Sequence, residues 1–158
     1  MEYDEAVMTL AALLAPERAR IVRGTLGRAE ALESLADLLA RDGAVDAAEV
    51  TRALREREAV QSTGLGEGVA IPHAALSTLS EQRAALLIVP AGVDFDAIDG
   101  EKVRLFVAVV GPRTTSGEHL RTLARLSRLF RSRLLRERLV AAETSGEAYD
   151  ALLEEDLG

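Results

Sequence analysis

Two aliphatic runs, residues 84–89 and 103–110, carry almost no polar interruption. A strand with one face in water alternates apolar and polar side chains, so runs that do not alternate read as strands covered on both faces. Such a sheet needs helices above and below it, and amphipathic patterns lie on both sides of the runs along the chain. In residues 28–41, Ala31, Leu32, Leu35, Leu38 and Leu39 recur at three- and four-residue steps until Gly43 stops the pattern. Asp46 and Glu49 have the spacing of a capping box, and Val50, Ala53 and Leu54 carry an apolar face on to about Arg57. Thr115 and Glu118 repeat that box before a helix with Leu120, Leu123, Ser127 and Phe130 on one side and Arg121, Arg125 and Arg128 on the other. Thr144 with Glu147 opens a last short helix bearing Tyr149, Leu152 and Leu153. Residues 19–23 read as a short strand; Pro90-Ala-Gly and Asp99-Gly100 read as turns. The fold expected is α/β (α+β), a mixed β-sheet flanked by helices, in a single domain over residues 1–158 with its core at about 8–154.

Composition sets the remaining bounds. A chain of 158 residues, 48% hydrophobic and without cysteine, buries roughly 70% of its unfolded surface, so it folds without disulfides or a structural metal. Met1 is followed by Glu-Tyr-Asp-Glu and no apolar run approaches a membrane span of ~20 residues, so a cytoplasmic protein that is not membrane-embedded is expected. The formal charge of −7 argues against general affinity for nucleic acid. Residues 113–138 nevertheless hold eight arginines against Glu118 and Glu137, a local charge of +6. That helix reads as a solvated face, or as a docking surface for an acidic protein partner. A nucleic-acid face would interleave aromatics, and only Phe130 is present.

With two histidines and no cysteine, thiol chemistry and zinc fingers are excluded. His73 ends residues 63–73 (TGLGEGVAIPH), where Gly64, Gly66 and Gly68 alternate ahead of a β-type run, as in a loop feeding a strand. Glycines lack the side chains that keep an anion off the backbone, so Thr63, Gly64, Gly66 and Gly68 form a candidate phosphate-binding loop. Pro72 has a fixed φ and no N–H, which predicts that strand pairing ends where the imidazole emerges. His119 falls in the first turn of the arginine-rich helix, whose positive end disfavours imidazolium and favours a nearby anion. Taken alone, each histidine reads equally as a packed or solvated ring. Other motifs fail on particulars. The glycine segment lacks the Lys-Ser/Thr of a P-loop, and it runs into a strand pattern where a dinucleotide fingerprint opens a helix. Asp94, Asp96 and Asp99 lack calcium-loop spacing, and two histidines 46 positions apart make a poor zinc site, so neither metal nor cofactor is expected.

Residues 58–74 (EAVQSTGLGEGVAIPHA) resemble the phosphohistidine segment of enzyme IIA of the fructose/mannitol class in the phosphoenolpyruvate:sugar phosphotransferase system, a class that includes the nitrogen-regulatory enzyme IIA. Residues 92–100 (GVDFDAIDG) and 119–130 (HLRTLARLSRLF) are similar to family segments in the same order, and the likeness covers about residues 8–154. The resemblance implies that His73 accepts a phosphoryl group on Nε2 from the phosphocarrier protein HPr. It implies that His119 is an auxiliary histidine bonding the phosphate, and that Arg57 supplies charge to it. Onward transfer goes to an enzyme IIB for sugar uptake or, in the alternative, phosphorylation regulates binding to partner proteins without sugar transfer. Relatives commonly carry a basic residue soon after the histidine, where this chain has Ala74, Ala75 and Leu76. The cysteine of enzyme IIB and the membrane segments of enzyme IIC are expected on other chains.

Overall fold

A computed structural model describes residues 9–113 and 116–157. In chain order the elements are α1 (Leu10–Leu13), a 3₁₀ turn (Pro16–Arg18), β1 (Ala19–Ile21), α2 (Arg28–Leu39), α3 (Ala47–Val60), β2 (Gly64–Gly66), β3 (Val69–Ala70), β4 (His73–Ala75), β5 (Arg83–Val93), β6 (Val103–Gly111), α4 (Ser116–Leu129), α5 (Arg133–Ala141) and α6 (Ser145–Leu157). The six strands form one mixed sheet in the order β1-β5-β6-β3-β2, and β4 also pairs with β6. β5 and β6 are antiparallel, while β1 joins β5 and both β3 and β4 join β6 in parallel.

The two aliphatic runs form the centre of this sheet. Ala85, Leu87, Val89, Phe106, Ala108 and Val110 face α2 and α3, packing on Leu32, Leu35, Leu39 and Leu54. Ala84, Leu86, Ile88, Leu105, Val107 and Val109 face the other way, onto Leu126, Phe130, Leu135, Leu139 and Leu152. The alternation is between two apolar layers, which is why no polar residue marks it. Asp46 caps α3 through the Glu49 amide, and Thr144 caps α6 through the Glu147 amide.

Four expectations need correction. Leu120 is 66% exposed, whereas Leu123 and Phe130 pack inward as expected, and α4 buries Thr122 and Leu126 beside them. The Pro90-Ala-Gly turn is instead an irregularity inside β5, which pairs with β6 up to Ile88 and again at Val93 with a register shift between. The segment after Glu58 is a β-hairpin, β2 and β3, where a loop was expected. A separate helix, α5, capped by Ser132 through the Leu135 amide, also went unread. Thr115 and Met1 to Glu5 lie outside the described residues.

Two kinds of contact fix α4, which carries a histidine. Leu126 and Phe130 are buried and contribute about 1.5–3 kcal/mol each. Arg125 pairs with Asp156, whose side chain is 1% exposed and which also accepts the Leu10 amide. Apolar burial supplies most of the affinity, and the ion pair joins α4 to α6. Arg133, Arg136 and Arg138 pair with Glu137, Glu67 and Glu154, so half of the arginine cluster is matched by acids of the fold itself. Among the described residues, no helix is long and apolar enough to cross a membrane.

Candidate active site

Pro72 interrupts the strand that carries His73 without ending it. The Pro72 carbonyl accepts the Val109 amide at 2.9 Å, and β4 resumes against β6 with His73 opposite Val109. What stops is pairing on the other side: Ile71 still donates to the Thr63 carbonyl at 3.1 Å, and beyond it β4 pairs, among the described residues, with β6 alone. The expectation that pairing ends at the histidine therefore holds for one edge only. That edge leaves His73 half-buried. Ala74 packs toward α2 and α3, so His73 projects to the opposite face, where α4 lies.

The ring is held in one orientation. His73 Nδ1 lies 2.8 Å from the Ile71 carbonyl oxygen. A carbonyl only accepts, so Nδ1 carries the proton and the Nε2 lone pair is left outward, with no partner among the described residues. His119, in the first turn of α4, brings its ring centroid to 5.5 Å from that of His73, with the planes at 57°. Burial pushes His73 below the ordinary imidazole value of 6.5, and the Arg57 guanidinium pushes the same way; the Ile71 bond and the Glu58 carboxylate oppose them. Burial also lowers His119, with His73 as the second cause. Both rings are thus neutral at pH 7. Arg57 folds over the end of α3, its Nη1 donating to the Gln61 carbonyl at 2.8 Å, within electrostatic reach of His73.

The glycines are placed differently from the sequence expectation. Glu67 and Gly68 are the two central residues of the β2–β3 turn, with φ of 59° and 78°, as a type I′ turn requires. Gly66, at φ 95°, adds a bulge beside it. The turn lies about four residues along β6 from His73, roughly 13 Å. Three amides of this region already have acceptors. Gly64 donates to Ser62 Oγ, Glu67 to Asp99, and Thr63 to Glu58. A Cβ on Gly64 would stand 2.9 Å from the Ala97 backbone. Gly64, Gly66 and Gly68 therefore build the hairpin and its seam with residues 97–99, and Thr63 is bonded to Glu58 through both its amide and its hydroxyl. Glu58 and Arg28 escaped the sequence reading. The one signal was a charged residue on the inward side of an amphipathic helix.

A half-buried neutral imidazole with a free Nε2, a second neutral imidazole beside it and a guanidinium nearby form a site suited to a transferable anion. The family description "Phosphoenolpyruvate-dependent sugar phosphotransferase system, EIIA 2" matches residues 14–155. The chain belongs to this EIIA family. The nitrogen regulatory protein of Pseudomonas aeruginosa strain PAO1 is 33% identical over 149 residues, covering 94% of this chain and 97% of that protein. The fructose-specific EIIA component of Haloferax volcanii strain DS2 is 36% identical over 125 residues, covering 78% and 81%. The crystal structure of nitrogen regulatory protein IIA-Ntr from Neisseria meningitidis matches with a TM-score of 0.83 at 30% identity, over 90% of this chain and 98% of that one. The mixed, helix-flanked sheet is thus that of a phosphotransferase-system EIIA protein, and phosphoryl carriage is the work of that family.

Proposed function

We propose that this EIIA protein carries a phosphoryl group covalently on His73 Nε2. The observation that supports it most is the Ile71 hydrogen bond, which commits the proton to Nδ1 and leaves Nε2 as the nucleophile. The Nε2 lone pair forms the new N–P bond while the phosphorus–nitrogen bond to the donor, a phosphohistidine of an HPr-type carrier protein, breaks. The donor ring keeps its electron pair, and Nδ1–H of His73 stays on the Ile71 carbonyl. A loose transition state asks for alignment and for positive charge at the equatorial oxygens. Arg57 supplies the charge and His119 donates a hydrogen bond to one oxygen. A carrier must release the group as readily as it takes it, so a tight cradle around the phosphate is not expected.

Incubation with phosphoenolpyruvate, enzyme I and HPr is expected to yield one acid-labile phosphoryl group per chain, absent from His73→Ala. A His73→Ala protein that still takes the label overturns the assignment. The output is either transfer to an enzyme IIB or regulation by phosphorylation-dependent binding. The second is favoured by the fuller overlap with a protein named as nitrogen-regulatory than with one named as fructose-specific, 94% against 78% of this chain. Chemical discharge of the phosphorylated protein by an enzyme IIB separates the two.

A further inference from the structure

Glu58 is buried, its side chain 3% exposed, next to the exposed end of α3. Its two oxygens both act on one residue: Oε2 accepts the Thr63 amide at 2.8 Å and Oε1 accepts the Thr63 hydroxyl at 2.7 Å. The chain of bonds then continues across the sheet. The Thr63 carbonyl accepts the Ile71 amide at 3.1 Å, and the Ile71 carbonyl accepts His73 Nδ1–H at 2.8 Å. On the other side, Arg28 Nη2 stands 3.6 Å from Glu58 and Arg28 Nη1 stands 3.7 Å from Asp96, with the guanidinium 5.3 Å over the Phe95 ring. Arg28 is therefore fixed by three groups, and it in turn confines Glu58.

We infer that Glu58 is a positioning residue for the His73 imidazole, acting through the Thr63 and Ile71 peptide units to fix the ring's tautomer and height. This inference rests on His73 being the phosphoryl acceptor. Connecting α3 to β2 needs only packing, and an apolar side chain would provide it without the cost of burying a carboxylate. A carboxylate offers what packing cannot, two acceptors at a set spacing. They clamp Thr63 in both its amide and its hydroxyl, so its carbonyl is aimed at Ile71. A reacting ring must be held to about 0.5 Å, and residues behind it supply that precision when their own geometry is over-determined. Arg57 and Glu58 are neighbours in sequence with different tasks. One faces the incoming group and the other braces the strand from within.

Three variants test this: Glu58→Ala, Glu58→Gln and Thr63→Val. Each is read by ¹⁵N chemical shifts of the His73 ring in the unphosphorylated protein, by the rate of phosphoryl transfer from phosphorylated HPr, and by the thermal midpoint. In Glu58→Ala the ring is expected to leave the single Nδ1–H tautomer for a mixture, with transfer slowed about 10- to 100-fold. Glutamine restores both contacts, Oε1 accepting the Thr63 amide and its own N–H₂ donating to the hydroxyl oxygen, so Glu58→Gln keeps the single tautomer and a rate near wild type. Thr63→Val keeps the amide bond and loses the hydroxyl bond, giving an intermediate slowing. A folded Glu58→Ala protein with the wild-type ring spectrum and rate overturns the inference. So does a Glu58→Gln protein as impaired as Glu58→Ala. Should Glu58→Ala fail to fold, an unchanged spectrum and rate in Thr63→Val have the same force. The ring spectra need no phosphoryl transfer, so a labelled His73→Ala removes the acceptor reading while leaving the tautomer result to stand separately.

Discussion

The hairpin and the histidine within residues 63–73 make opposite use of the same backbone. At the hairpin end the groups are closed off: the Glu67 amide is bonded to Asp99, the Glu67 carboxylate to Arg136, and the Gly68 carbonyl accepts both the Arg104 and Leu105 amides. At the histidine end Pro72 and a strand edge leave one ring nitrogen without a partner among the described residues. A segment that reads as a single motif is therefore half scaffold and half chemistry, and the glycines belong to the scaffold. Substitutions at the two ends should separate accordingly, altering transfer at one and stability at the other.

The sharpest test of the open end is His119→Gln. It removes the imidazole 5.5 Å from His73 and is expected to slow phosphoryl transfer by about 10²-fold, the usual cost of one misplaced donor at a developing charge. Its denaturant midpoint should stay near wild type. A rate within twofold of wild type would show that the second ring serves packing alone. At the closed end the prediction reverses. Gly64→Ala, whose Cβ would meet the Ala97 backbone at 2.9 Å, should lose about 1–3 kcal/mol in urea unfolding, while the folded fraction transfers phosphoryl groups at close to the normal rate. A loss of transfer larger than the loss of folded protein would return this glycine to the phosphate site.

The smallest expected effect is on pH. Burial holds His73 and His119 below the ordinary 6.5, so as pH falls through that value the unfolded imidazoles take up protons and the native ones do not. The unfolded state then binds more protons, and stability falls toward acid until the native rings titrate as well. Chemical denaturation between pH 7 and 5 should show this decline, reduced in His119→Ala. Ring titrations by NMR should give midpoints below 6.5 for both histidines.

Residues 84–89 and 103–110 were legible because burial on two faces needs only their own side chains. His73 was legible for a similar reason, since proline and histidine constrain the chain locally. Leu120 reads as inward because helical periodicity fixes the spacing of a stripe and leaves its exact rotation to the packing partners, here Leu126 and Phe130 in the core. The roles of Gly64 and Gly66 depend on Ala97 and Asp99, more than thirty positions onward, which no local pattern reports. Glu58 is hidden in part by distance: Arg28 lies on another helix, α2, and Thr63, though only five positions on, meets it through the bend between α3 and β2. Pro90 reads as a turn because strand breaks and strand bulges share the same residues.

The bond from the Leu10 amide to the Asp156 carboxylate has a topological consequence. Positions 10 and 156 stand side by side, so residues 10–156 run almost in a closed circuit. A short splice between these points, with a new opening in the exposed turn at Asp42 and Gly43, is expected to give a permuted chain that still folds, checked by its thermal midpoint and by the NMR signals of the His73 ring.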